Sequence, residues 1–142
     1  MKTKSTIIER NIAFVRDAFD ALMRGDTGPL LAALTEDAVI GCSVAEGTPL
    51  SGHFQGREGY LRYLQTVAEV LEPLSVELGH YTGSESCVVL LGRERARVRK
   101  TGKVADREYA SVVNLRDGKI ARVWTLSDLS SINDAYRTGD GG

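Results

Sequence analysis

Arg93-Glu94-Arg95-Ala96-Arg97-Val98-Arg99 is the stretch that decides how this chain folds. Every odd position is arginine, and the even positions are Glu94, Ala96 and Val98. That is the two-residue period of a strand with one wet and one dry face. The arginine row has to face water, so Glu94 turns inward with the small apolar residues. Lys100-Thr101-Gly102-Lys103 reads as a tight turn, and a two-residue loop at Thr101-Gly102 sets the register across it. Arg95 then opposes Glu108 and Arg97 opposes Asp106 on the outer face. On the inner face Glu94 opposes Tyr109, Gly92 opposes Ser111 and Leu90 opposes Val113. A slip of one residue would set core residues against charges. A carboxylate, a phenol and a hydroxyl are therefore predicted together on the concave side of a sheet.

Downstream, Arg116-Asp117-Gly118-Lys119 is a second hairpin turn with two registers open to it. A two-residue Asp-Gly loop places Trp124 and Arg122 inward. A three-residue loop with Gly118 left-handed places Val123, Thr125 and Ser127 inward, and is preferred because it keeps Arg122 out of the core. Asp128 or Ser127 then caps a short helix carrying Leu129, Ile132 and Tyr136, and 138–142 is expected to be disordered.

Upstream, Thr6-Ile7-Ile8-Glu9 has the form of a capping box. Ile8, Ile12, Val15, Phe19 and Leu22 follow as one helical face, ending at Arg24-Gly25. Asp26-Thr27-Gly28-Pro29 caps a short second helix with Leu30, Leu31 and Leu34. Thr35-Glu36-Asp37 reads as a turn into a strand over 38–42. The loop over 45–56 contains Pro49, His53 and Phe54, and a loop of that length is often functional. A helix over about 57–71 carries Tyr60, Leu64, Val67 and Leu71 on one stripe and is stopped by Glu72-Pro73. A strand over 74–81 leads through a turn to the central hairpin. The layout is α+β: about three N-terminal helices on one face of a curved antiparallel sheet, in a single domain spanning 1–142.

The chain has 142 residues, 42% hydrophobic and 26% charged, with a formal net charge of −1. The near-zero balance argues against nucleic acid as partner, since Asp106 and Glu108 offset the arginine row. Cys42 and Cys87 have neither metal-ligand spacing nor a disulfide framework. No uninterrupted apolar run marks a signal peptide or a membrane span, so a cytoplasmic protein is expected.

Several ordered pieces carry a family resemblance. They are Arg24-Gly25-Asp26; Leu34-Thr35-Glu36-Asp37-Ala38-Val39; Phe54-Gln55-Gly56-Arg57-Glu58; Leu115-Arg116-Asp117-Gly118-Lys119-Ile120; and Trp124 with Asp128. In order and spacing they resemble the SnoaL-like branch of the nuclear transport factor 2-like superfamily, which also holds ketosteroid isomerases and limonene epoxide hydrolases. The resemblance implies a cone: a bent sheet round a helix layer, an apolar pocket inside, and a homodimer through the outer sheet face. It does not carry over the known catalytic sets. Where a ketosteroid isomerase keeps its base, its tyrosine donor and its protonated aspartate, this chain has Cys42, Ala18 and Ser111. Where SnoaL-type cyclases place an acid, it has Thr125, and the epoxide-hydrolase triad has no counterpart.

The candidates are weighed against plainer roles. Glu94, an acid on the inner face of a partly apolar cone, suits general acid–base work. Arg107 also faces inward one diagonal step away, so a structural ion pair is the competing role; a paired glutamate argues for structure, an unpaired one opening into a cavity for chemistry. Tyr109 either orients Glu94 or is a core aromatic. His53 either closes over the mouth of the cone as a proton carrier or is a surface residue. Ser111, Thr125, Cys42, Val123, Ser127 and Phe19 are expected as pocket walls for a small apolar molecule. No metal site and no cofactor motif is expected. Trp124, outward, is the expected anchor of the dimer. Two functions follow: a cofactor-independent isomerase, cyclase or hydrolase of an apolar oxygenated substrate, or a non-catalytic ligand-binding or dimerisation domain.

Overall fold

The computed structural model describes residues 3–43 and 49–127. The elements are α1 (Lys4–Met23), α2 (Gly28–Ala33), β1 (Leu34–Cys42), β2 (His53–Gln55), α3 (Gly56–Val70), β3 (Leu71–Gly83), β4 (Cys87–Val98), β5 (Val104–Arg116) and β6 (Lys119–Ser127). The strands form one curved, unclosed six-stranded sheet in the order β2-β1-β6-β5-β4-β3. The α+β class is as the sequence implies. The sheet is mixed rather than antiparallel throughout, because β1 runs parallel to β6.

The first helix begins earlier than its apparent capping box. Thr3, not Thr6, is the N-cap, accepting from the Thr6 backbone N–H at 3.2 Å. At the other end Gly25 takes the left-handed conformation (φ 86°) that ends the helix. β1 starts at Leu34, four residues before the expected 38–42 strand, and is irregular between Leu34 and Val39. Asp37 in that irregular part is bonded by Thr35 and Arg116, tying β1 to the β5–β6 turn. The stretch expected as an unbroken loop carries the short strand β2, antiparallel to β1. α3 ends at Val70, and Pro73 lies inside β3, where an edge strand tolerates the missing N–H.

Both hairpin turns differ from the expected ones. Across the first, Val98 donates to Lys103 and Gly102 donates back to Val98, so 99–102 forms the loop. Glu94 therefore opposes Arg107, Gly92 opposes Tyr109 and Leu90 opposes Ser111, a register two residues from the expected one. A shift of two preserves every face, so the arginine row remains outside. The second turn is the two-residue Asp117-Gly118 loop, with φ of 53° and 76° as a type I′ turn requires. An irregularity after Asn114 then restores the phase, so Val123 faces inward with Thr125 and Ser127 although the loop is the shorter one.

α1 lies over one end of the inner sheet face. Val15, Ala18 and Phe19 pack with Leu30, Ile40, Val88, Leu90, Val113, Ile120 and Val123 in the main core. A second apolar cluster gathers Cys42, Leu50, Val70, Leu71, Ala96 and Val98 at the other end. Asn11 on α1 donates to the carbonyls of Ser84 and Glu85, which fixes the β3–β4 turn. Among the described residues no helix is long and apolar enough to cross a membrane. The expected C-terminal helix and tail lie outside the described residues.

Candidate functional site

The strand ladder arranges the inner face in rows. Val88, Val113, Val123 and Ile40 form one row across four strands, all of them buried. The next row is Tyr81, Leu90, Ser111, Thr125 and Cys42. Then come Leu78, Gly92, Tyr109 and Ser127, and finally Val76, Glu94 and Arg107. Between the two apolar clusters, then, the strands carry a polar band, and a cavity of about 140 Å³ opens against it.

Glu94 and Arg107 lie directly opposite each other and form an ion pair, Nη2 to Oε1, at 2.8 Å. Their side chains are only 16% and 14% exposed, and both line the cavity. By the criterion set from the sequence this pairing counts toward structure, while the position against the cavity counts toward chemistry.

Tyr109 sits one step along and lies across Gly92. A Cβ at Gly92 would fall 2.6 Å from the Tyr109 Cζ and hydroxyl, so the glycine is what allows the ring to occupy that place. The Arg107 guanidinium lies 5.4 Å from the ring centre. Burial, reinforced by the nearby Glu94 charge, pushes the Tyr109 hydroxyl above its ordinary pKa, with Arg107 acting in the opposite sense. The phenol is thus kept protonated, as a donor. Ser111 and Thr125 bond each other through their hydroxyls at 2.9 Å. Ser127 Oγ is buried and has no hydrogen-bond partner among the described residues. Cys42 lines the cavity with its thiol 3.7 Å from the Leu50 carbonyl.

Of the expected residues, Glu94, Tyr109, Ser111, Thr125, Cys42, Ser127 and Phe19 meet at this cavity. Val123 is packed in the core behind it. His53 is elsewhere. It begins β2, opposes Gly41, and its ring stacks on Trp124 at 5.1 Å on the outer face, so it does not cover the cavity. Trp124 faces outward as expected, but His53 and Arg122 (5.0 Å from its ring centre) cover it within the chain.

Tyr63 was not foreseen. It projects from α3 beside Cys42, with its ring held edge-on by Phe54 at 5.2 Å and Tyr60 at 6.1 Å. Burial, then the neighbouring Cys42 and Tyr60, hold its hydroxyl well above its ordinary pKa. The signal was available: Tyr60, Tyr63, Val67 and Val70 are as good a helical stripe as the one through Leu64. Among the described residues no group of three metal-ligating side chains occurs. A wider, open hollow of about 540 Å³ lies on the outer face between Leu91, Leu126 and Glu77. The inner cavity is the better site, because apolar walls and a few convergent polar groups meet there.

The SnoaL-like domain family model matches residues 15–123. Among curated proteins none matches the chain. Of the solved structures it is similar to, an NTF2-like protein from Burkholderia xenovorans superposes with a TM-score of 0.79 at 22% identity, over 92% of this chain and 98% of that one. A protein from Jannaschia named as a SnoaL-like polyketide cyclase superposes at 0.77 with 17% identity, over 96% and 97% of the two chains. One from Bacillus subtilis named as an isomerase superposes at 0.70 with 20% identity, over 90% and 93%. At such identities the likeness is one of fold.

Proposed function

This chain belongs to the SnoaL-like domain family, and from that premise we propose that it is a small-molecule isomerase or cyclase moving protons in its inner cavity. The observation that carries the reading is the Glu94–Arg107 pair, inside the sheet and against the cavity, with a protonated phenol beside it. Only one Glu94 oxygen, Oε1, is bonded to Arg107. In the proposed step Glu94 takes a proton from a carbon of the bound substrate and later returns it. Arg107 holds the carboxylate in place. Tyr109 donates a hydrogen bond to the negative charge that develops on the substrate, and the cavity excludes water from it. No cofactor is needed for such a step.

Proton exchange tests this directly. In deuterium oxide, a panel of small cyclic compounds with an acidic C–H is followed by proton NMR with wild-type protein and with Glu94→Gln. Exchange on at least one compound, slowed about a hundredfold or more in Glu94→Gln, is expected. No exchange above buffer contradicts catalysis. A second reading is favoured by the 2.8 Å ion pair itself, whose geometry is that of a structural contact: a chain that binds and carries its ligand unchanged. Binding without exchange selects it.

We also propose that two copies pair through the outer face, with Leu91 and Leu126, each 45% exposed, at the centre in place of the covered Trp124. A monomer in sedimentation at micromolar concentration contradicts this.

A further inference from the structure

Resting on the reading of the inner cavity as the ligand site, we infer that its occupant is an uncharged, single-ring molecule bearing an oxygen that accepts hydrogen bonds, of the aryl-ketone or lactone class. Size sets the ring count. The cavity measures about 140 Å³, and an apolar cavity near 150 Å³ is filled by a benzene-sized molecule.

Charge sets the neutrality. Among the described residues lining the cavity the one cation is Arg107, and Glu94 pairs with it at 2.8 Å. An anionic ligand would meet the Glu94 carboxylate, and a cationic one would meet Arg107.

The remaining polar groups set the polarity of the ligand. Ser111 and Thr125 bond each other, which leaves one of the two hydroxyls with a proton still to donate. Tyr109 reaches in from the sheet and Tyr63 from α3, both kept protonated by burial. Tyr63 has the Cys42 thiol as a neighbour at the same cavity, and sulfur is a weak acceptor that a carbonyl oxygen outcompetes. The Ser127 hydroxyl, buried and unpartnered among the described residues, is one more donor at the same wall. Donors thus approach from both sides of the cavity, so the ligand has to bring an acceptor.

The test is a titration of the full chain with acetophenone, ethylbenzene and benzoate, followed by backbone amide NMR shifts. Acetophenone is expected to bind about tenfold tighter than either of the others, the worth of one added hydrogen bond. Its shifts should fall on Ser111, Thr125 and Tyr109. Tyr63→Phe keeps the ring and its packing, and should lower acetophenone affinity to that of ethylbenzene while leaving ethylbenzene unchanged. Equal binding of ethylbenzene, tightest binding of benzoate, shifts confined to Leu91 and Leu126, or no binding at all each overturn the inference. Binding of acetophenone without proton exchange in the panel overturns only the catalytic reading. Exchange with benzoate bound most tightly overturns only this one.

Discussion

Two rows of side chains on the same face of the same sheet do opposite things. Val88, Val113, Val123 and Ile40 are at most 3% exposed and interlock beneath α1. A few residues along β4 and β5, Glu94, Arg107 and Tyr109 line a cavity, expose donors and bury a charge pair. β4 and β5 pair without a register shift under both, so the difference lies in what the side chains do with the enclosed volume. The valine row excludes water and stabilises the fold, for apolar burial yields free energy in proportion to area. The band with the ion pair contributes little net stability, because desolvation offsets much of the attraction between the charges. It persists because the row beside it holds the sheet in shape.

Separating the two rows experimentally sharpens this contrast. The largest effect is expected from Ile40→Ala, which opens a void in a fully buried position and should cost about 2–5 kcal/mol in denaturant unfolding while the folded fraction still binds ligand. Tyr109→Phe should do the reverse, changing stability by under about 1 kcal/mol and weakening binding or exchange. If Ile40→Ala abolished binding in protein shown to be folded, the two rows would not be separable. A smaller effect is expected from pH. Burial, helped by the Asp20 charge, pushes the Tyr81 hydroxyl up to about 12 from the ordinary 10.0. The unfolded chain therefore loses this proton first, and stability present below pH 10 should fall as the pH approaches 12. Tyr81→Phe should flatten that decline when unfolding is measured at pH 9 and pH 11; an unchanged slope contradicts it.

The parts of this arrangement that were legible in the sequence are those set by local periodicity. The arginines at 93, 95, 97 and 99 can face only water, which fixed the inward side of β4 and, through it, Glu94. The partner of Glu94 was not fixed. A two-residue loop and the actual loop over 99–102 put the same residues on the same face, and only the second brings Arg107 opposite Glu94. The parallel β1–β6 pairing joins residues far apart in sequence and leaves no local signature. It is also what seats β2 beyond β1 and carries His53 to the outer face. Tyr63 was missed because one helical stripe satisfied the pattern, and which of two adjacent stripes meets the sheet depends on how the helix docks.

The claim that most needs testing is that Glu94 is a working base and not only the partner of Arg107. Replacing both at once, as Glu94→Gln with Arg107→Met, removes the chemistry without leaving a buried charge uncompensated. The single variant Arg107→Met should cost up to about 3 kcal/mol, and the double variant should recover most of that loss. Unfolding and proton exchange measured on the same double-variant sample decide the matter. A stably folded protein that still binds the panel compound and no longer exchanges its proton is expected. A folded double variant exchanging at the wild-type rate would contradict it.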